Sequence, residues 1–117
     1  MKQLQQRTTY VQSIPVVSLT GEIDMMSFAP VTSRLAALLD RKPPALVVDL
    51  REVRFFGSGG IRTLVETQNT ADELGVRFGV VSDSRIVLRP LEMTAVDQLL
   101  LIFGSVDNAV TALANTR

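Results

Sequence analysis

The run Ala45-Leu46-Val47-Val48-Asp49-Leu50 constrains the fold most, because a strand this short and almost continuously apolar has to be covered on both faces. Pro43-Pro44 prevents any helix from running into it, and Phe55-Phe56-Gly57-Ser58-Gly59-Gly60-Ile61 lies beyond it, where a strand gives way to a helix. This is the pattern of a central strand in an α/β layer structure. In the second stretch one hydroxyl, Ser58, stands among three glycines, whose missing Cβ atoms let another molecule approach the main chain. Ser58 is therefore a candidate site residue. A serine at a helix start also has an ordinary use as an N-cap, accepting from the first-turn N–H groups, and spacing alone leaves both readings open.

The flanking segments extend the α/β pattern. Ile14 to Thr20 reads as a strand ending at Gly21, with Pro15 near its start or on an edge, and a shorter strand around Thr8 to Gln12 can pair with it. After Gly21-Glu22-Ile23-Asp24 the spacing predicts a helix with Ser27 as cap, Pro30 in the first turn, and Val31, Leu35, Leu38 and Leu39 on one face. The helix after Ser58 carries Ile61, Leu64, Val65, Ala71 and Leu74 along one side and stops at Gly75. Val76 to Val81 is the next strand, so strand, helix, strand form a right-handed crossover between parallel neighbours. Further on come a short helix from Ser84 to Leu91, a strand near Leu99 to Phe103, and a last helix capped by Ser105 with Val106, Ala109, Val110 and Leu113 inward. No linker or repeat divides the chain, and a single domain over residues 1–117 is expected.

Composition decides what Ser58 can do. The chain of 117 residues has no histidine and no cysteine. That removes disulfides, thiolate and imidazole metal ligands, cysteine nucleophiles and every serine triad with a histidine base. No metal and no cofactor are expected. Twelve basic and twelve acidic residues cancel, so no net field favours nucleic acid. No apolar run approaches the roughly 20 residues of a membrane helix, so direct membrane insertion is not expected and a cytoplasmic protein is.

The glycine segment also fails as a known loop. A phosphate-binding P-loop needs a lysine and a hydroxyl after its last glycine, where this chain has Ile61 and Arg62. The dinucleotide fingerprint needs a third glycine where Arg62 stands. The esterase elbow needs a glycine at Phe56 and a histidine elsewhere. No group in the chain activates Ser58, but an enzyme bringing its own base and ATP can still use the hydroxyl as a substrate.

Gly21-Glu22-Ile23-Asp24, the strand Val47-Val48-Asp49-Leu50 leading into Val53-Arg54-Phe55-Phe56-Gly57-Ser58-Gly59-Gly60-Ile61, and Leu88-Arg89-Pro90-Leu91 together resemble the STAS domain family, the bacterial anti-sigma factor antagonists. The resemblance covers nearly the whole chain. It implies a single-domain fold with a mixed, mostly parallel sheet of four to five strands flanked by helices, and a serine or threonine at the start of the second major helix that a partner anti-sigma kinase phosphorylates. Ser58 takes that position. The usual family segment reads Asp-Ser-Ser/Thr-Gly before an aliphatic residue. This chain has Gly57 and Gly59 in place of the acidic residue and the second hydroxyl, while Gly60 and Ile61 match.

The implied role is a non-enzymatic antagonist that binds an anti-sigma factor, a serine kinase-like protein, and frees a sigma factor until Ser58 is phosphorylated. A phosphatase resets such a switch. The implied docking residues are Gly21, Asp24, Met25, Met26, Phe56, Gly57, Gly59, Gly60 and Ile61, with Asp24 a secondary contact. Met25, Met26 and Phe56 can equally be core residues, and Gly21 to Asp24 an ordinary turn. The alternative role is a non-phosphorylated scaffold subunit of a signalling or membrane lipid-transport complex. Oligomeric state is left open.

Overall fold

The computed structural model describes residues 4–114. Five strands, β1 (Gln5–Val11), β2 (Ile14–Ile23), β3 (Ala45–Phe56), β4 (Arg77–Val81) and β5 (Leu101–Phe103), form one sheet in chain order. β1 and β2 are an antiparallel hairpin. Its two turn residues, Gln12 and Ser13, both have positive φ (52° and 66°), as a turn matching the strand twist requires. The other three pairings are parallel and are bridged by α1 (Phe28–Asp40), α2 (Ser58–Leu74) and α3 (Arg85–Met93).

Each crossover steps to the next strand in the same direction, so the three helices share one sheet face. Val31 and Leu35 of α1, Leu64 and Ala71 of α2, and Val87 and Leu91 of α3 pack there with Leu46, Val48 and Leu50 of β3. α4 (Val106–Ala114) covers part of the other face, placing Ala109, Val110 and Leu113 over Ile14, Val16, Ala45, Val47 and Val81. Both faces of β3 are thus buried through Leu50, which is why the run from Ala45 reads as continuously apolar.

The α/β expectation holds, with five strands in a mixed, mostly parallel sheet. Several boundaries differ. β2 does not end at Gly21. It bulges there, with register shifts at Ser18/Thr20 and Gly21/Glu22, and continues to Ile23. Gly21 has φ 115°, a conformation open to glycine, and that lets the strand kink without leaving the sheet. β3 likewise runs past Leu50 to Phe56, and the two strand ends stay paired, Glu22 with Phe55 and Ile23 with Phe56.

The remaining shifts are local. β1 occupies Gln5–Val11 where Thr8 to Gln12 was expected, because Gln12 belongs to the turn. β4 starts at Arg77 rather than Val76. Leu99 belongs to a short 3-10 turn, Val96–Leu99, that leaves β5 only three residues long. α3 runs to Met93 and begins under Ser84, whose Oγ accepts from the Ile86 N–H at 3.1 Å. Ser105 Oγ caps α4 through the Asn108 N–H, and Gly75 closes α2 in the left-handed region.

The inward side of α2 differs from the aliphatic stripe expected of it. Thr63 and Thr67 are buried beside Leu64 and Ala71, whereas Ile61, Val65 and Leu74 are half-buried. Thr63 satisfies its hydroxyl by donating to the Gly59 carbonyl (2.9 Å), and its oxygen meets Thr32 Oγ1 of α1 at 3.0 Å. That bond ties α1 to α2.

Candidate functional site

The paired ends of β2 and β3 carry two connections to the same place. From Ile23 the chain passes through Asp24, Met25, Met26 and Ser27 into α1, and from Phe56 it passes through Gly57 into α2. The Gly57 N–H donates to the Ile23 carbonyl at 3.0 Å, joining the two connections across the strand ends.

Asp24 organises the first connection. Its Oδ1 accepts from the Met26 N–H (2.9 Å) and the Ser27 N–H (3.0 Å), and its carbonyl accepts from the Phe28 N–H (3.1 Å). Ser27 occupies the cap position of α1, but its hydroxyl is turned away from the helix. It accepts from the Asp24 N–H at 3.0 Å and lies 3.1 Å from both the Glu22 carbonyl and Asp24 Oδ1. The aspartate therefore closes a turn just ahead of α1, and the side-chain cap expected of Ser27 is not made. Asp24→Ala is expected to cost about 1 kcal/mol, the typical net worth of a side-chain bond to the backbone. It should also speed hydrogen exchange at the Met26 and Ser27 amides, both readable by urea unfolding and exchange NMR.

In the second connection Gly57 is the N-cap and Ser58 is the first helical residue. The α2 backbone bonds begin with the Gly60 and Ile61 N–H groups on the Gly57 carbonyl. No side chain caps this end, so Ser58 is exposed with its hydroxyl uncommitted to the fold. Gly59 is buried against the first connection, where a Cβ would run into the Asp24 carbonyl. Gly60 lies over the Phe56 ring, which a Cβ would meet at 2.5 Å.

The candidate docking residues accordingly divide. Gly21, Phe56, Gly59 and Gly60 are buried and shape the backbone of the site from within, and Ile61 is half-buried. Phe56 at 5% exposure is a core residue and offers no surface to a partner. Met26 (91%) and Met25 (53%) are exposed, so for them the core reading is overturned. Phe55, absent from the candidate list, is 49% exposed. Strand alternation sends two successive phenylalanines to opposite faces, which is the signal that could have found it.

One cation stands on the same helix. Arg62 donates through Nε to Glu66 Oε2 at 2.8 Å, and its guanidinium lies 5.3 Å from the centre of the Phe28 ring. A second ion pair lies farther back on β3, where Arg51 bonds both carboxylate oxygens of Asp49 (3.0 and 2.9 Å). Those bonds raise the guanidinium pKa above its ordinary range. Among the described residues no group of histidine, cysteine, aspartate or glutamate is placed to hold a metal ion, and no helix is long and apolar enough to cross a membrane.

Ser58 lines neither of two clefts on the described surface. One of about 320 Å³ lies between α1 and α2 around Thr32, Ala36 and Thr67, and another of about 810 Å³ lies on the open sheet face around Arg7, Ser18 and Arg51. An exposed hydroxyl clear of both clefts, near two exposed methionines and a half-exposed phenylalanine, suits contact with a protein better than enclosure of a small molecule.

The family model described as "Mlab, STAS domain" matches residues 8–102. The anti-sigma-F factor antagonist RsfB of Mycobacterium tuberculosis is 31% identical over 104 residues, covering 89% of this chain and 84% of that protein. The crystal structure of an anti-sigma factor antagonist from Mycobacterium paratuberculosis superimposes with a TM-score of 0.85 at 34% identity, over 96% of this chain and 95% of the other. A STAS domain protein from Planctomyces limnophilus shares the fold at 23% identity, with a TM-score of 0.81 over 94% and 98% of the two chains. With the family match spanning most of its length and relatives above 30% identity covering 89% and 96% of it, the chain belongs to the STAS domain family.

Proposed function

We propose that this protein is an anti-sigma factor antagonist whose unmodified form binds a kinase-like anti-sigma factor through Met25, Met26 and Phe55 around Ser58, and which phosphorylation of Ser58 switches off. The observation that carries this reading is the exposed Ser58 hydroxyl at the first position of α2, used by neither cap nor core. The name of the RsfB relative supports the choice of partner. The protein acts by binding rather than turnover, in the cytoplasm where transcription is regulated.

In the modification step Ser58 Oγ attacks the γ-phosphorus of the kinase's ATP, ADP leaves, and the hydroxyl proton passes to a base of the kinase, since this chain supplies neither histidine nor cysteine. Hydrolysis by a phosphatase restores the hydroxyl. The new group adds about −1.5 to −2 charges where the docked surfaces would have to strip its water.

Incubation with the cognate anti-sigma kinase and ATP, followed by mass spectrometry, tests the assignment. One phosphate on Ser58 and none on Ser58→Ala is the expected result. Modification at another residue, or full modification of Ser58→Ala, removes Ser58 from the role. A chain that is never modified and co-purifies with transporter or assembly subunits would be a scaffold instead.

A further inference from the structure

We infer that Arg62 is the residue of this chain that receives the phosphate on Ser58, an inference that rests on Ser58 being the acceptor. Ser58 opens α2 and Arg62 follows four residues later, so both lie on one face of the helix with their Cβ atoms about 5–6 Å apart. The unmodified protein keeps Arg62 on the opposite neighbour, Glu66, one turn further along.

That resting pair is weakly held. Its side chains are 57% and 43% exposed, and exposed i,i+4 ion pairs contribute little. Its order along the helix, base before acid, is also the less favourable one. A phosphate on Ser58 reverses the order. It places the acid before the base, carries more charge than a carboxylate, and presents oxygens that a guanidinium fork can engage two at a time. The helix N-terminus favours the anion as well, while the nearby Asp24 carboxylate and the loss of the Glu66 pair act against the exchange.

The exchange reaches beyond α2. In the resting state the Arg62 guanidinium lies over Phe28, the first residue of α1, whose N–H is bonded to the Asp24 carbonyl. Turning Arg62 towards Ser58 uncovers that ring beside Met25 and Met26. Phosphorylation thus alters the docking surface in two ways, by adding charge at Ser58 and by withdrawing a cation from the start of α1.

The test uses protein with phosphoserine inserted at position 58 during translation, which needs no kinase. The phosphate is titrated by phosphorus NMR and the Arg62 Nε resonance is followed by nitrogen NMR. The second phosphate ionisation is expected about half a pH unit lower with Arg62 than with Arg62→Gln, since a nearby cation favours the doubly charged form. The Nε signal should move on phosphorylation, Arg62→Lys should recover part of the titration shift, and Arg54→Gln should leave it unchanged. Identical titration of the native and Arg62→Gln proteins, an unmoved Nε signal, or loss of the shift in Arg54→Gln overturns the assignment. Arg62→Lys keeps the charge and gives a readout if Arg62→Gln fails to fold. Kinase mapping of Ser58 is read separately, so either result can fail without the other.

Discussion

Phosphorylated protein is expected to bind its anti-sigma factor roughly a hundredfold more weakly than the unmodified chain, a loss of about 2.7 kcal/mol. Ser58 stands beside Met25, Met26 and Phe55, so a partner covering those apolar side chains also has to cover the phosphate. Misplaced interfacial charge costs several kcal/mol, and a hundredfold change lies inside that range. Ser58→Ala should bind like the native protein, because the hydroxyl makes no bond that holds the helix start. Ser58→Asp adds a single charge and should weaken the complex less than phosphate does. Titration calorimetry reads the affinities, and circular dichroism should show the same fold throughout, since an anion at the first turn of α2 is locally favourable. Equal affinities for the phosphorylated and unmodified forms would remove the switch.

Gly59→Ala should be the most damaging small substitution at the site. The added Cβ would run into the Asp24 carbonyl, which is backbone already bonded to Phe28 and unable to swing aside. Overpacking of this kind costs about 1–3 kcal/mol. For a chain of this size that is a fall in Tm of roughly 4–12 °C. The displaced connection carries Met25 and Met26, so binding should weaken along with stability. Gly57→Ala is the contrast. Its Cβ would meet Phe55 ring atoms at 2.9 and 3.3 Å, and that half-exposed ring can turn into solvent. Thermal melts of the two variants compare the sites directly, and a Gly59→Ala protein as stable as Gly57→Ala would mean that the approach of Asp24 does not require glycine. The same geometry accounts for one departure from the family pattern, because a second hydroxyl at position 59 would need room that the Asp24 connection occupies.

Much of the architecture was legible because helix and strand periods act locally. Val31, Leu35, Leu38 and Leu39 recur at helical spacing, and Ala45 to Leu50 could be nothing but a covered strand. The bulge at Gly21 and the continuation of β2 to Ile23 were not legible, since each depends on the end of β3, about thirty residues away in sequence. Ser58 stood out through its glycine neighbours, yet the sequence could not say whether its hydroxyl capped the helix. Gly57 takes the cap position and leaves the hydroxyl to solvent. Thr63 and Thr67 lay outside the expected apolar stripe and proved buried, and Thr63 can face the core because its hydroxyl bonds within its own helix turn. Met25 and Met26 carry core-type side chains on a connection too tightly folded to bury them.

The spatial order of the sheet repeats the order of the chain, and this bears on how the protein is made. Each new strand pairs with the one synthesised just before it, so no strand has to wait for a distant partner or be inserted between two already paired. Loops that close over short stretches of chain form faster than long ones. The sheet can therefore grow at one edge during translation, with α1, α2 and α3 sealing its first face as each crossover is completed. Only α4 comes late. Until it docks, Ile14, Val16, Val47 and Val81 remain bare on the second face, and the nascent protein is most exposed to aggregation in that interval.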